Sequence, residues 1–431
     1  MNLTRRSLLL SGAAATLVPR GSVRAADPAA PRFLIVLFAN GGWDVTFAMD
    51  PKDRVEGGID GPWVDQTANP LDLEERRVIH GIPVQCNDLK RKSVTSFFET
   101  WGHKACVVNG VWTGSIVHQP SRIRLLTGTQ DARSPDFATI VGAAKGVSVD
   151  LPLGTIDFSG LGYTGPFAAT TGRIGYSSQL KALLSDQTFR PPTWADYALP
   201  LYTPSSTEEE AIAAHLADRL AAFRAANADG ARNDQRIDDI AESWVRRERL
   251  LDKADVIADR LELGGTPSLD LQADVAVDLL VGGVCHTVTL ADTISTWDTH
   301  DLNALQHDQY QSFFTSLNRL CANLDAQGIL DDTLVVVMSE MTRTPKRNWK
   351  TGKDHWAHTS QLWVGGGVPG GRVFGGTTDG VESRPVDLAT GAVDDGFGDL
   401  AKYDNVVAGI LARMGVDPGE FLPDVVPLQL G

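Results

Sequence analysis

The chain has 431 residues, 42% of them hydrophobic, and a formal net charge of −15. This length allows one large α/β domain with an insertion, or two domains, each with a sizeable core. A surface this acidic disfavours nucleic acid and anionic membranes as partners, although it can still gather metal cations.

The N-terminus predicts an export signal. Thr4-Arg5-Arg6-Ser7-Leu8 is typical of a twin-arginine leader, and the apolar stretch Leu8–Val18 is too short to span a bilayer. Val23-Arg24-Ala25 supplies small residues at a cleavage site. We therefore expect residues 1–26 to be a signal peptide, and the mature chain 27–431 to be periplasmic or secreted, with no stable membrane insertion.

Short apolar runs alternate with helical patterns along the mature chain. Each run ends at Gly, Asp or Ser and is rich in β-branched residues; the runs are RFLIVLFANGGWD, KACVVNG, LGTIDF, VCHTVTL, TLVVVMSE and SQLWVGGG. Little strict alternation is present, which favours strands covered on both faces. The pattern predicts an α/β fold with a mostly parallel sheet and helices on both sides.

Residues from about 207 to 263 do not follow this alternation of strand and helix patterns, because they are charged and rich in Ala and Leu. They predict helices with one apolar stripe and one solvated face. We interpret them as a helical insertion that packs on the sheet domain. A coiled-coil interface with a partner is the alternative.

The chain has four cysteines, Cys86, Cys106, Cys285 and Cys321, and no C-x-x-C pair. An oxidising compartment permits disulfides, and the sequence leaves all three full pairings open. Cys285 and Cys321 lie in strand and helix patterns, which favours packed core thiols.

Carboxylates and imidazoles recur beside the strand runs, where parallel sheets build their sites. Such side chains, converging from different parts of a chain, are the ligands that divalent metals need in hydrolases. The sequence therefore predicts a divalent metal ion, either zinc, calcium or manganese, with the ligands still open between two late histidines. The candidate ligands are Asp44, Asp298, His300, Glu340, His355 and His358.

Arg343 lies in the run EMTRTPKRN beside these residues, in a chain short of positive charge. Its guanidinium could bind an anionic substrate through two hydrogen bonds. The alternative is a surface turn with solvated bases.

Several motifs carry a resemblance. HQPSRIRLLTG, from His118 to Gly128, resembles the sulfatase signature, in which Cys or Ser is followed by x-Pro-Ser-Arg and Leu-Thr-Gly. The whole mature chain is more similar to the twin-arginine-exported family of unknown function DUF1501, in the alkaline phosphatase and sulfatase superfamily. That resemblance rests on GGWD at 41–44, DPK at 50–52, WDTHD at 297–301, GILDDTLVVVMSEMTRTPKRN at 328–348, GKDHW at 352–356 and GGGVPGGRVFGGTTD at 365–379.

The resemblance implies a three-layer α/β/α sandwich with a metal-centred site for phosphate or sulfate esters. It assigns metal binding to Asp44, Glu340, the pair Asp298 and His300, and one of the histidines at 355 and 358. Two departures stand out. Met341 takes the place of a second metal-binding histidine, and Asn40-Gly41 take that of paired aspartates.

His118 stands where the signature has its nucleophile. Three roles are open: a histidine nucleophile, a metal ligand or general acid-base with water attacking, or a binding protein that has lost catalysis. Ser115 and Ser121 are nearby hydroxyls, and Ser121 fits a helix cap better.

The leading hypothesis is an exported, metal-dependent hydrolase of phosphate or sulfate esters, with His118 and Arg343 facing an anionic small-molecule or glycan ester. The alternative is a catalytically inactive, sulfatase-like binding or envelope assembly protein. The missing hydroxyl or thiol at position 118 favours the alternative. The retained acidic and imidazole set favours the hydrolase.

Overall fold

The computed structural model describes residue 27 and residues 29–65, 73–146, 151–174, 205–227, 230–253, 267–292 and 297–430. The predicted signal peptide lies outside these residues. Of the helices in the described ranges, none has both the length and the apolar character that crossing a membrane requires.

The structure alternates strands and helices. The strands are β1 Phe33–Ala39, β2 Glu75–Ile79, β3 Ile82–Cys86, β4 Ala105–Trp112, β5 Thr155–Asp157, β6 Thr171–Arg173, β7 Thr287–Asp292, β8 Thr333–Met338, β9 Thr342–Arg343, β10 His355–Trp356, β11 His358–Val364 and β12 Arg372–Gly375. The helices are α1 Lys92–Trp101, α2 His118–Thr127, α3 Phe137–Gly146, α4 Ser206–Asn227, α5 Ala231–Leu251, α6 Leu269–Val281, α7 Gln306–Ala326 and α8 Tyr403–Arg413.

Eight strands form the central sheet in the order β12-β4-β11-β8-β1-β7-β5-β6. Every neighbouring pair is parallel except those of β11, which runs antiparallel to β4 and β8. In the centre, Leu34 lies opposite Thr287 on one side and Leu334 on the other. The predicted α/β fold with a mostly parallel sheet is confirmed.

Helices cover both faces of this sheet. Alternate side chains of β1, from Phe33 to Leu37, pack in one hydrophobic core with α1, α6 and α7. The intervening side chains, from Leu34 to Phe38, pack in a second core with α2, α3 and α8. Because consecutive strand residues point to opposite faces, this division defines a three-layer α/β/α sandwich.

Helices α4 and α5 occupy most of the predicted helical insertion; residues 254–263 of it lie outside the described residues. Ile237 and Leu250 of α5 are buried. Arg246 of α5 donates a hydrogen bond to the Ala169 carbonyl (3.1 Å). These contacts hold α5 against the rest of the chain, and the boundaries of the insertion stay a prediction.

The cysteines are all buried and unpaired. None of the three pairings that the sequence left open is formed. Cys285 and Cys321 lie in the core as predicted.

The site lies at the carboxyl edge of the central strands. There the loop that follows β1 contains Gly41 and Gly42, with φ of +126° and +92°. A Cβ on Gly41 would approach the Asp298 backbone nitrogen to 2.8 Å, so glycine is required for this close approach. Because β11 is antiparallel, its amino end also reaches this edge.

Candidate metal centre

Asp298 is the centre of a cluster of three histidines. The Nε2 atoms of His300 and His355 each lie 3.0 Å from Asp298 Oδ1. His118 Nε2 lies 3.3 Å from Asp298 Oδ2. These histidines come from the loop after β7, from β10, and from the first residue of α2, so the fold brings together residues far apart in sequence.

The other ring nitrogen of each histidine faces an acceptor. The three Nδ1 contacts are His118 to Glu340 Oε1 (2.8 Å), His300 to Asp354 Oδ1 (2.9 Å) and His355 to the Ile116 carbonyl (2.7 Å). Asp298 is an acceptor as well, so each ring can donate from either nitrogen. With the proton on Nδ1, the Nε2 lone pair is available to a cation beside Asp298. This is the arrangement in which outer partners orient histidine ligands around a metal ion.

The spacing of the donors fits a small cation. His300 Nε2 and His355 Nε2 lie 3.0 Å apart. When both rings carry their proton on Nδ1, the two Nε2 lone pairs face each other and repel. A cation between them, or a proton on one of the two Nε2 atoms, removes this repulsion. Tetrahedral zinc with Zn–N bonds of about 2.0–2.1 Å separates its donors by about 3.3 Å. Ligand atoms of His118, Asp298 and His355 all lie within 4.8 Å of one another.

The opposite charges of the cluster shift the pKa values of Asp298 and His118 in opposite directions. Burial acts to raise the pKa of Asp298, but hydrogen bonds with His118, His355 and Arg343 outweigh it and hold that pKa well below its usual range. The hydrogen bond with Asp298, followed by that with Glu340, raises the pKa of His118 to about 9. Without a metal ion, His118 is therefore protonated at neutral pH, and a bound cation has to displace that proton.

Glu340 lies behind His118 and is fully buried. Its Oε1 accepts from His118, and both of its oxygens lie 3.1 Å from the Gly41 backbone nitrogen. Its Oε2 also accepts from Ser339 Oγ (3.2 Å). The structure thus brings this predicted ligand to the cluster as the group that orients His118.

Arg343 is also buried, with 1% of its surface exposed. Its guanidinium donates to Asp298 Oδ1 (2.7 Å), and to the carbonyls of Gly42 (2.7 Å), Gly41 and Trp297 (2.9 Å). These partners belong to the loop after β1 and to the loop that carries Asp298 and His300. The arginine predicted to face a substrate therefore faces the protein, where it fixes Asp298 in place.

The structure does not bring Asp44 or His358 to the cluster. The Asp44 carboxylate turns back to cap the short helix that follows it, and forms a buried ion pair with Lys353 Nζ (2.7 Å). His358 Nδ1 accepts from the Ser383 backbone nitrogen (3.0 Å). Of the two late histidines, His355 is the one that reaches Asp298.

Arg122 also lies at the site, although it is not among the residues predicted from the sequence. It follows His118 by four residues on α2, so the two side chains share a helix face. Its Nε lies 3.7 Å from Glu340 Oε1, and its side chain is 26% exposed. The signal was present, since this residue is the arginine of the HQPSR run.

Residues 275–425 match the family described as "Protein of unknown function (DUF1501)", which confirms the resemblance on that part of the chain. No curated protein matches the chain.

Three solved structures similar to this chain are as follows. Ps i-CgsB in complex with k-i-k-neocarrahexaose is 11% identical, with 92% of this chain and 75% of that chain covered and a TM-score of 0.42. The lipoteichoic acid synthase LtaP from Listeria monocytogenes is 8% identical, with 94% and 78% covered and a TM-score of 0.39. The phosphonate monoester hydrolase of Agrobacterium radiobacter is 13% identical, with 92% and 78% covered and a TM-score of 0.36.

Proposed function

We propose that this chain is an exported hydrolase of phosphate or sulfate esters that uses one divalent metal ion. His118, Asp298 and His355 would hold the ion, and His300 would stand beside it in contact with His355. The observation that carries the proposal is the convergence of three Nε2 atoms on one carboxylate while each Nδ1 is held by an acceptor. Structural ion pairs do not require that three imidazoles be oriented in this way.

The donor set favours zinc among the three metals considered. Calcium prefers oxygen ligands, six to eight of them, and manganese also prefers oxygen. Two imidazoles and one carboxylate are a common set of protein ligands in catalytic zinc sites, which keep one position open for water. We therefore propose zinc as the resident ion.

Each side chain has a proposed task. When bound, zinc supplies Lewis acidity and a nucleophile derived from water near neutral pH. Glu340 orients the His118 ring, and Arg343 fixes Asp298. Arg122 binds the anionic group of the ester. His118 is a ligand and not the nucleophile in this proposal, because Glu340 occupies one ring nitrogen and the other points to Asp298.

One observation favours the second candidate, a non-catalytic binding or assembly protein of the cell envelope. The resemblance assigns metal to Asp44 and Glu340, yet Asp44 is paired with Lys353, and the Glu340 oxygens accept hydrogen bonds from the protein. Groups of the protein thus occupy the Asp44 and Glu340 carboxylates, which a second metal ion would need as ligands. The described residues support one metal ion at this edge of the sheet.

Metal content tests the proposal. The mature chain from Asp27, without a histidine tag, should retain about one zinc ion per chain when analysed by mass spectrometry. The double variant Asp298→Ala, His355→Ala should lose the ion, because it removes two of the three donors. The matched control His358→Gln should keep it, since His358 lies outside the cluster.

The outcomes separate the candidates. A well-folded protein that holds no stoichiometric metal, even after zinc is supplied, would refute the metal-dependent hydrolase. A zinc-loaded protein that cleaves neither p-nitrophenyl phosphate nor p-nitrophenyl sulfate nor a panel of glycan esters would favour the binding protein. Cleavage lost in the double variant and kept in the control would support the hydrolase.

A further inference from the structure

Asp44 and Lys353 form a buried ion pair that has no task in the proposed function. The Lys353 ammonium lies 2.7 Å from Asp44 Oδ2, and the lysine and aspartate side chains are 0% and 1% exposed. Taking both charges out of water costs free energy that their attraction offsets only in good geometry, so such a pair is weak evidence for stability. Because lysine is almost never fully buried, we looked for a role of this pair in arranging the chain around it.

The Asp44 carboxylate joins two segments that are separate in sequence. Its Oδ2 atom accepts hydrogen bonds from Lys353 Nζ and from Asn303 Nδ2 (2.9 Å). Lys353 lies on the segment that leads to the proposed ligand His355. Asn303 lies on the segment that follows the proposed ligand Asp298. One carboxylate oxygen therefore connects the segments that supply two of the three proposed ligands.

The main chains of these two segments are also in direct contact. The Lys353 amide donates a hydrogen bond to the Thr299 carbonyl (3.1 Å). A Cβ on Gly352 would come within 1.8 Å of the His300 carbonyl oxygen. No space is left between the segments at this point, so a displacement of one is transmitted to the other.

The geometry of the proposed metal site depends on where these segments lie. His355 Nε2 and Asp298 Oδ1 are 3.0 Å apart. Metal ligands have to lie within about 0.2 Å of their ideal distances from the ion. Because each segment carries a proposed ligand, even a small change in their separation alters the distances to the ion.

We propose that Lys353 is a positioning residue, whose ion pair with Asp44 holds the two segments at the separation that metal binding requires. Lys353 acts through the chain that leads to His355 and is not itself a ligand. Its role at the ion rests on the proposed function. The link between the segments is a separate statement, which is measured on metal-free protein.

A matched ion pair elsewhere in the chain separates positioning from stability. Lys52 Nζ lies 2.9 Å from Asp50 Oδ1, and these side chains are 9% and 8% exposed. The residue types are the same as in the Asp44–Lys353 pair, and the burial is similar. Both members belong to a segment that supplies no proposed ligand, so this pair provides the control.

The double variant Asp44→Asn, Lys353→Met tests the proposal, because it removes both charges together and leaves neither one buried alone. Its affinity for zinc, measured by competition with a chromophoric chelator, should fall by about 10- to 100-fold, the effect expected when groups that orient metal ligands are lost. The control Asp50→Asn, Lys52→Met should bind zinc like the original chain.

Chemical rescue distinguishes the need for a cation at this position from general destabilisation. Lys353→Ala removes a fragment with the size and charge of propylammonium. Propylammonium in the buffer should therefore restore most of the lost zinc affinity in this variant. It should have no such effect in Asp44→Asn, Lys353→Met, where methionine fills the space and the carboxylate is absent.

Hydrogen exchange on the metal-free protein distinguishes failure of this inference from failure of the proposed function. The Lys353 amide is bonded to Thr299, and the Asn303 amide is bonded to Thr351 (3.2 Å), so both amides report on the link between the segments. Peptides that cover 299–303 and 351–355 should exchange about tenfold or more faster in Asp44→Asn, Lys353→Met than in the control. A chain that binds no zinc but shows this difference refutes the proposed function and supports the link.

Three results would overturn the inference. The first is unchanged zinc affinity or unchanged exchange in Asp44→Asn, Lys353→Met. The second is an equal loss in the control, which means that either ion pair serves the fold in general. The third is a folded Lys353→Ala whose zinc affinity propylammonium does not raise. If Lys353→Ala does not fold, the first two comparisons decide.

Discussion

His118 illustrates how two partners decide the role of one side chain. Glu340 holds its Nδ1 at 2.8 Å, and Asp298 lies 3.3 Å from its Nε2. A serine or cysteine at this position could reach neither group in the same way, because each carries a single polar atom close to the backbone. The histidine therefore belongs to a site of different design from the signature that it resembles.

Arg122 should determine the affinity for anions. Replacing it with alanine should leave zinc content unchanged, because Arg122 is not among the proposed ligands and its 3.7 Å contact with Glu340 is longer than a hydrogen bond. Binding of inorganic phosphate to the zinc-loaded protein, measured by calorimetry, should weaken by about 10- to 100-fold, the loss of one charge-assisted hydrogen bond. Arg122→Lys should recover part of this loss.

The control for this experiment is Arg133→Ala. Arg133 is 91% exposed and pairs with Asp131, so its loss changes the net charge equally without touching the cluster. Equal phosphate affinity in the two alanine variants would show that Arg122 contributes only general charge.

The sequence identifies the cluster better than it identifies the task of each member. Asp298, His300 and His355 could be selected because they stand beside strand runs, and the structure brings them together. Asp44 was equally eligible, but its partner Lys353 lies 309 positions along the chain. No local pattern reveals such a pairing, since it depends on how loops from β1 and β10 meet.

At the scale of elements, every strand that carries a strong apolar run could be predicted. The predicted runs do not include the hairpin strands β2 and β3 or the short strands β6, β9, β10 and β12. In β2 the sequence is ERRVI and the side chains are largely exposed, so no apolar run marks the strand. The direction of β11 was also beyond the sequence, since SQLWVGGG has the same character as the runs in parallel strands. Strand direction depends on the length and path of connections, and not on composition.

Two buried histidines at the ends of elements should make stability depend on pH. His286, just before β7, is 2% exposed, and burial followed by nearby positive charges lowers its pKa to about 4. His307, in the first turn of α7, accepts a hydrogen bond from Arg91, and burial followed by that charge lowers its pKa to about 2. Histidines in the unfolded chain have a pKa of about 6.5.

These pKa values determine whether the protein gains or loses stability as the pH falls. As pH falls below about 6.5, the unfolded chain binds protons that the folded chain refuses, so the free energy of unfolding falls. For His286 the loss continues down to about pH 4, at up to about 1.4 kcal/mol per pH unit. Urea unfolding of the wild type and His286→Gln between pH 7 and pH 4 should show a shallower slope in the variant. Parallel curves would contradict the assignment.

At the scale of the whole molecule, two cores share one sheet, and the central strand β1 is buried on both faces. The cysteines are distributed over both cores, and none forms a disulfide. Stability therefore comes from burial of apolar surface on two sides of the sheet and not from crosslinks.

Thiol chemistry checks this description. Burial raises the pKa of Cys106 to about 12 and raises those of Cys86, Cys285 and Cys321 as well, so thiolates are scarce in the folded protein. The native chain should react slowly with a thiol reagent, and all four groups should react after denaturation. Melting temperature should be the same with and without a reducing agent. A lower value under reduction would reveal a disulfide.

The origin of the cluster residues also has a consequence for biosynthesis. The cluster combines His118 with Asp298, His300 and His355. Because translation proceeds from the amino end, His118 is made first of these four residues and His355 last. A nascent chain or a fragment that ends before β10 contains no complete set of donors. In the proposed site, zinc can therefore be bound by the full donor set only after residues up to His355 have been made.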